Sequence, residues 1–175
     1  EFLELVGMPD PKSILKKYPH NLSGGMRQRI MIAIAISCNP KLIIADEPTT
    51  SLDVTIQAQI LETLKSICET SDTALVLITH NLGIIARYAK RVIVMYAGKI
   101  VEEGNAVDLH NSPKHPYTLG LLRSVPKLNS SPDANLEAIP GNPPDLNNLP
   151  NGCSFQPRCY LINEKCNVEP TITPV

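Results

Sequence analysis

Three short stretches carry residue types that could do chemistry. The first is NLSGGMRQR, residues 21–29, in which Ser23, Gly24 and Gly25 stand ahead of Gln28 and a long apolar run. A helix start leaves backbone N–H groups unpaired and carries a partial positive charge, and glycines let a phosphate approach that backbone closely. The same SGG also suits an ordinary helix cap, with Ser at the cap and glycines in the loop. The second stretch is Asp46-Glu47-Pro48, which halts the apolar run KLIIA. Adjacent carboxylates at the end of a buried strand are costly unless they meet a metal or a proton to move. Ligands of α/β sheets collect at such strand ends. The usual division of labour gives Asp46 a magnesium ion, through a water, and gives Glu47 the attacking water. The third is His80, which follows the run TALVLIT in the same way. Alone it reads equally as a satisfied core histidine. Asp46, Glu47 and His80 together are three polar groups at equivalent ends of one sheet.

The elements that must position them follow from pattern. Pro9, Pro11 and Pro19 break residues 1–20 into two short helical pieces. A helix is predicted from Ser23 to about Cys38, apolar on all sides in its second half and therefore buried, with Asn39 and Pro40 ending it. KLIIA and TALVLIT read as buried parallel strands. Between them, Asp53 to Thr70 reads as an amphipathic helix with Ile56, Ile60, Leu64, Ile67 and Cys68 on one side. A short helix is predicted from about Leu82, then a hairpin in RVIVMYAGKIVEEG turning at Ala97 and Gly98. This alternation means an α/β layered domain.

Composition bounds the alternatives. The 175 residues are 43% hydrophobic and 19% charged, which suits one compact domain with an appendage. Sixteen Lys and Arg against 17 Asp and Glu leave a formal charge of -1, so the basic footprint of a nucleic-acid binder is missing. The longest apolar run, Ile30 to Cys38, falls short of the roughly 20 residues that span a bilayer. The chain opens on Glu1 inside EFLELVGM, which has the look of a helix already under way, and a cytosolic piece of a longer protein is expected. Eleven of the 16 prolines lie at or beyond Pro113, so beyond about residue 112 only a short helix near Tyr117 to Ser124 is predicted, then an irregular connection from Val125 to Asn151.

LSGGMRQR resembles the signature motif of the ATP-binding-cassette (ABC) ATPases, LIIADEP their Walker B segment, SLD at Ser51 to Asp53 their D-loop, and THN with His80 their switch histidine. Order and spacing match over about residues 1–105. The resemblance implies the α/β fold of a P-loop NTPase, here the C-terminal part of the parallel-sheet core in residues 1–111, followed by a Pro-rich, Cys-containing extension in 112–175. It implies ATP and Mg2+ as ligands, with Glu47 and His80 catalytic. Ser23, Gly24, Gly25, Gln28, Asp46 and Asp53 would bind nucleotide, Asp46 holding Mg2+ through a water. In this family two cassettes pair head to tail, so Ser23, Gly24 and Gly25 would meet the γ-phosphate of a partner's ATP, while Asp46, Glu47 and His80 serve their own subunit's.

The tail narrows the resemblance. SPKHPYTLGLLRSVP and IPGNPPDLNNLPNGCSFQPRCYLINEKC are similar to the C-terminal extension of oligopeptide and dipeptide importers, a group that also includes nickel and glutathione systems. This implies an ATPase subunit on the cytoplasmic face of the membrane, pairing with a second ATPase subunit, the same or different. Its further partners would be transmembrane permease subunits and, indirectly, a substrate-binding protein, with no nucleic acid. The other readings are a soluble cassette ATPase outside transport and a non-catalytic interaction module. Cys153, Cys159 and Cys166 are spaced C-x5-C-x6-C, unlike the C-x2-C of common zinc sites. Some members of the resembling family carry a [4Fe-4S] cluster on this extension. The alternatives are zinc and free thiols. Cys38 and Cys68 are expected to fill the core.

The P-loop pattern G-x-x-x-x-G-K-[ST] does not occur in these residues, for the one Gly-Lys pair, Gly98-Lys99, is followed by Ile100 within the predicted hairpin. Residues 1–175 by themselves should therefore neither bind ATP tightly nor hydrolyse it, because the backbone cradle for the phosphates is lacking. Titration calorimetry checks this, and stoichiometric micromolar binding would contradict it.

Overall fold

A computed structural model describes residues 1–50, 52–125 and 138–171. Ser51 of the SLD triplet and residues 126–137 of the expected connection lie outside the described residues. The chain divides into two compact units, Glu1–His80 and Asn81–Val175.

In the first unit the short helices α1 (Phe2–Leu5) and α2 (Pro11–Ile14) lead through a 3-10 turn at Pro19–Asn21 into α3 (Gly24–Ile36). Strand β1 (Leu42–Asp46), helix α4 (Val54–Thr70) and strand β2 (Ala74–Ile78) then form a β-α-β unit. The strands pair in parallel, Leu42 opposite Ala74 and Asp46 opposite Ile78. Residues in left-handed conformation stop the helices where the sequence predicted: Asn39 (φ 47°) after α3 and Asp72 (φ 52°) after α4. The apolar stripe of α4 supplies the core, with Ile60, Leu64, Ile67 and Cys68 packed among Val6, Ile14, Leu22, Ile32, Ile36 and Ile43. Arg29 pins this core from one side, its guanidinium donating to Val6 O and, at 3.2 Å, to Gln59 Oε1.

Three expectations need correction here. The strands are covered on one face only among the described residues: Ile43 is buried, whereas Ile44 keeps 63% of its surface and Leu42, Val76 and Ile78 are exposed with it. Helix α3, apolar all round, likewise buries Ile32, Ala33 and Ile36 but exposes Met31 and Ile34. A continuous apolar run prepares an element for burial on all sides, and these residues supply packing partners for one of them. Cys38 is exposed rather than core, because α3 ends at Ile36 with Ser37 as its C-cap and Cys38 falls beyond the helix.

In the second unit, α5 (Leu82–Tyr88) precedes the antiparallel hairpin of β3 (Arg91–Tyr96) and β4 (Lys99–Asn105). Its turn is at Ala97 and Gly98, both at positive φ (48° and 77°), as a two-residue hairpin of this twist requires. Helix α6 (Ala106–Asn111) escaped the sequence reading, although Asn105 caps it by accepting from Val107 N at 2.9 Å. The predicted short helix is α7 (Pro116–Arg123), capped by His115, with Pro116 at its first position. Residues 138–155 hold no helix or strand, and 3-10 turns follow at Gln156–Arg158 and Glu164–Asn167. Phe155, only 2% exposed, sits at the centre of an aromatic cluster with Tyr96, Tyr117 and His115. Arg158 ties the connection to it, donating to Pro140 O at 2.8 Å, Ile139 O at 3.1 Å and Tyr96 Oη at 3.4 Å.

The contrast between the two faces of the β-α-β unit can be measured. In the 175-residue chain, Leu64→Ala should cost about 2–5 kcal/mol, since Leu64 is 2% exposed and its removal leaves a cavity. Ile44→Ala on the open face should cost under about 1 kcal/mol. Urea unfolding of the two variants checks the difference, and equal losses would mean that the open face is covered.

Candidate functional site

Parallel pairing puts the carboxyl ends of β1 and β2 at one edge, and there the predicted acidic residues and histidine meet. The ladder extends one residue past the last strand pair: Glu47 N donates to Ile78 O at 2.9 Å. Glu47 itself is left-handed, with φ 45°, a conformation that costs a non-glycine residue of order 1–3 kcal/mol and that turns its side chain off the line of the strand. Its Oε1 accepts from His80 N at 3.2 Å and lies 2.7 Å from His80 Nδ1. Residues 33 positions apart in sequence thus share one contact. The hydrogen bond with the His80 ring holds the Glu47 carboxyl below the usual carboxylate range. Desolvation opposes that shift, while hydrogen bonds from Thr50 and the His80 backbone add to it. The contact uses Nδ1 and leaves Nε2 outside it, and the His80 side chain is 83% exposed. Asp46, one residue back, is exposed at the same edge.

Thr50 and Thr49 were not singled out from sequence. Thr50 Oγ1 donates to Glu47 Oε2 at 2.9 Å, inside a turn closed by Thr50 N on Glu47 O at 3.2 Å. Thr49 is buried and accepts from Gln57 Nε2 at 2.7 Å, fastening that turn to α4. The available signal was EPTT itself, a hydroxyl residue three positions after a carboxylate across a proline turn, which is the spacing of local side-chain hydrogen bonds.

Ser23 is the N-cap of α3, its Oγ accepting from Met26 N at 3.3 Å, and Asp53 is the N-cap of α4, its Oδ1 accepting from Ile56 N at 3.0 Å. Both side chains therefore have a local structural task. The glycines have one too: a Cβ on Gly25 would stand 2.8 Å from Ile56 Cγ2, and one on Gly24 would stand 3.1 Å from Leu52 Cδ2. The first bond of the α3 ladder is Arg27 N on Ser23 O, so the N–H groups of Gly24 and Gly25 precede the ladder and are the ones a helix start offers to an anion. Gln28 is half-buried one turn further on. The signature residues and the Glu47–His80 pair both belong to the first unit, yet no hydrogen bond among the described residues joins them into one pocket.

Among the described residues no group of three or more His, Cys, Asp or Glu could hold a metal ion. Cys153 N does donate to Cys166 O at 3.0 Å, so the loop brings these cysteines near one another. Burial pushes the Cys159 thiol up, while the hydrogen bond that its sulfur accepts from Leu161 N at 3.4 Å opposes that shift. Cys153, Cys159 and Cys166 are in no disulfide, and the iron-sulfur expectation has no support among the described residues.

An ABC transporter family model matches residues 1–50, and a model for the oligopeptide/dipeptide transporter C-terminal region matches 101–166. The chain is 56% identical over 166 residues to the oligopeptide transport ATP-binding protein AppD of Bacillus subtilis, covering 95% of this chain and 50% of that protein. It is 52% identical to OppD of Salmonella typhimurium (97% and 50% covered) and 54% identical to the dipeptide transport ATP-binding protein DppD of Haemophilus influenzae (98% and 52% covered). The chain thus spans about half the length of the curated relatives it matches. Among solved structures, the dimeric post-hydrolysis state of the ATP-binding cassette MJ0796, bound to ADP and Pi, matches with a TM-score of 0.53 at 31% identity, over 60% of this chain and 44% of that one.

The depressed Glu47 pKa carries a stability consequence whose sign is fixed. A carboxyl whose folded value lies below its unfolded value contributes stability above the unfolded pKa and loses it as pH falls through the folded one. Carbon-detected NMR should therefore show the Glu47 carboxyl titrating below the ordinary glutamate range, and His80→Ala should move it back up. A Glu47 titration unchanged by His80→Ala would refute the coupling.

Proposed function

The chain belongs to the ATP-binding proteins of ABC transporters, in their oligopeptide and dipeptide branch, with the α/β fold of the ABC ATPases, and on that premise we propose that it is part of the ATP-hydrolysing subunit that powers import of di- or oligopeptides through a membrane permease. The observation that carries the reading is the Glu47–His80 contact at the carboxyl ends of two parallel strands, beside Asp46. This is an arrangement suited to moving a proton next to a bound phosphate.

The roles follow from the chemistry of each group. Glu47 is the base, its carboxylate taking a proton from the water that attacks the γ-phosphorus of ATP. His80 orients that carboxylate through Nδ1 and its own N–H. Asp46 offers hard carboxylate oxygens, which suit Mg2+ held through a water, and the ion would supply neutralisation of charge on the phosphate oxygens. The N–H groups at Gly24 and Gly25, with Ser23 as cap and Gln28 one turn on, would meet the γ-phosphate bound by a second ATPase subunit in a head-to-tail pair. Asp53, at the neighbouring helix start, belongs to the same nucleotide-binding set. Residues 1–111 form the cassette portion and 112–175 the extension. No described helix is long and apolar enough to cross a membrane. Attachment to the cytoplasmic face would run through the permease subunits, with a substrate-binding protein acting indirectly.

Glu47→Gln in the complete subunit tests this. The amide fills the same space but cannot accept the proton, so ATP binding should persist while turnover falls by about 10²-fold or more. An ATP-bound dimer should accumulate in gel filtration. Turnover within a few-fold of wild type would remove Glu47 from the role of base.

A further inference from the structure

The Glu47 carboxylate is held from two sides by parts of the chain that have different freedom. On one side His80 reaches Oε1 from the end of β2, with a ring that is 83% exposed. On the other, Thr50 Oγ1 donates to Oε2 at 2.9 Å from within Glu47's own turn. That turn is anchored three ways: Thr50 N donates to Glu47 O at 3.2 Å, Glu47 N to Ile78 O at 2.9 Å, and buried Thr49 accepts from Gln57 Nε2 at 2.7 Å. The Thr50 hydroxyl thus donates from an anchored turn, whereas the His80 side chain is held at Glu47 Oε1 and is otherwise exposed. Glu47 has three side-chain torsions to fix, and its left-handed backbone sets only the direction in which they begin.

We propose that Thr50 is a positioning residue for ATP hydrolysis: its hydroxyl fixes Oε2 of Glu47, so that Oε1 stays aimed at the attacking water while His80 engages the nucleotide. This rests on the reading of Glu47 as the base. Each carboxylate oxygen has two lone pairs, and Oε1 uses both on His80, so it can take the water's proton once the ring leaves it for the nucleotide, when Thr50 on Oε2 and the His80 N–H on Oε1 still hold the carboxylate. A base held by a donor in its own rigid turn keeps its orientation without drawing on the group that must also meet the phosphate. A threonine that only closed the turn would do so through its backbone N–H, which any residue but proline supplies. The side-chain hydroxyl is what the proposal needs.

The test uses the complete ATP-binding subunit with its partners and four variants: Thr50→Val, Thr50→Ser, Glu47→Gln and the Glu47→Gln/Thr50→Val pair. Valine keeps the shape and removes the hydroxyl. Thr50→Val should lower kcat by about tenfold, with KM for ATP within about twofold and an unchanged melting temperature. Thr50→Ser should return kcat to within about threefold of wild type. In single-turnover assays the Thr50→Val change should have no further effect once Glu47 is Gln. If Thr50→Val turns over like wild type, loses as much as Thr50→Ser, or changes KM instead of kcat, the positioning role is wrong. So it is if Thr50→Val slows the Glu47→Gln protein by the same factor. Should Glu47→Gln itself turn over normally, the base assignment fails and this proposal with it. A dead Glu47→Gln beside a fully active Thr50→Val sinks the Thr50 role alone.

Discussion

The bond from Glu47 N to Ile78 O, one step beyond the last residue pair of the parallel ladder, is the contact on which the site depends. It continues the register that aligns the carboxyl ends of β1 and β2, and so sets His80 against Glu47. A slip of one residue would move His80 by about 3.3 Å and turn the alternate side chains to the other face. Hydrogen bonds along a two-stranded ladder do not secure that register by themselves. The burial of Ile60, Leu64 and Ile67 of α4 against Ile43 on the inner face secures it, because only one register puts both strands' apolar residues on that face. The chemistry at the exposed edge is thus held by a core that contains none of it.

The same economy is visible at the start of α3. Gly24 and Gly25 lie against Leu52 and Ile56, so that the start of the signature helix packs directly on the turn and helix that carry Thr49, Thr50 and Asp53. Close packing and phosphate approach ask for the same residue there, since both need backbone without Cβ. Ser23 and Asp53 divide the labour similarly. Each satisfies one orphan N–H of its own helix, leaving the earlier N–H groups at Gly24 and Gly25 outward. A cap and an anion site are compatible readings of these residues, because they use different N–H groups.

What could be read from sequence was what local chemistry dictates. Ser23, Asn39, Asp53, Ala97 and Gly98 begin or end elements where their side chains or their tolerance of positive φ require it. The alignment of Asp46, Glu47 and His80 was legible too, since parallel strands share an edge. Thr50 was not, because its role depends on the left-handed turn at Glu47, which the apolar pattern does not encode. Helix α6 escaped because the hairpin pattern ends at Gly104 and the six residues capped by Asn105 are too few to show a helical period. Burial was overread in β1, β2 and α3: an apolar run states what an element can cover, and the cover itself lies elsewhere in sequence. The cysteines stand differently, since spacing alone does not set what three thiols hold, and no metal-holding group is assembled among the described residues.

The two units use their distinctive residues for different ends. In the tail, the HPYT and PRC pieces that carry the likeness to peptide transporters meet around Phe155. His115 caps α7 through Nδ1, which accepts from Tyr117 N at 3.1 Å, and burial lowers its pKa although Glu102 pulls the other way. A ring kept neutral can serve as that acceptor, whereas a protonated one could not. Tyr117 packs on Tyr96 and Phe155, and Arg158 spends its donors on Pro140, Ile139 and Tyr96. Gly120 admits Ile139 where a Cβ would stand 2.7 Å from Cγ1. Every one of these contacts builds a fold and none points a reactive group outward, so the tail marks the branch of the family through packing. On the proposed reading Glu47, His80 and Thr50 act from the first unit, in one turn and two strand ends, apart from the contacts that build the tail.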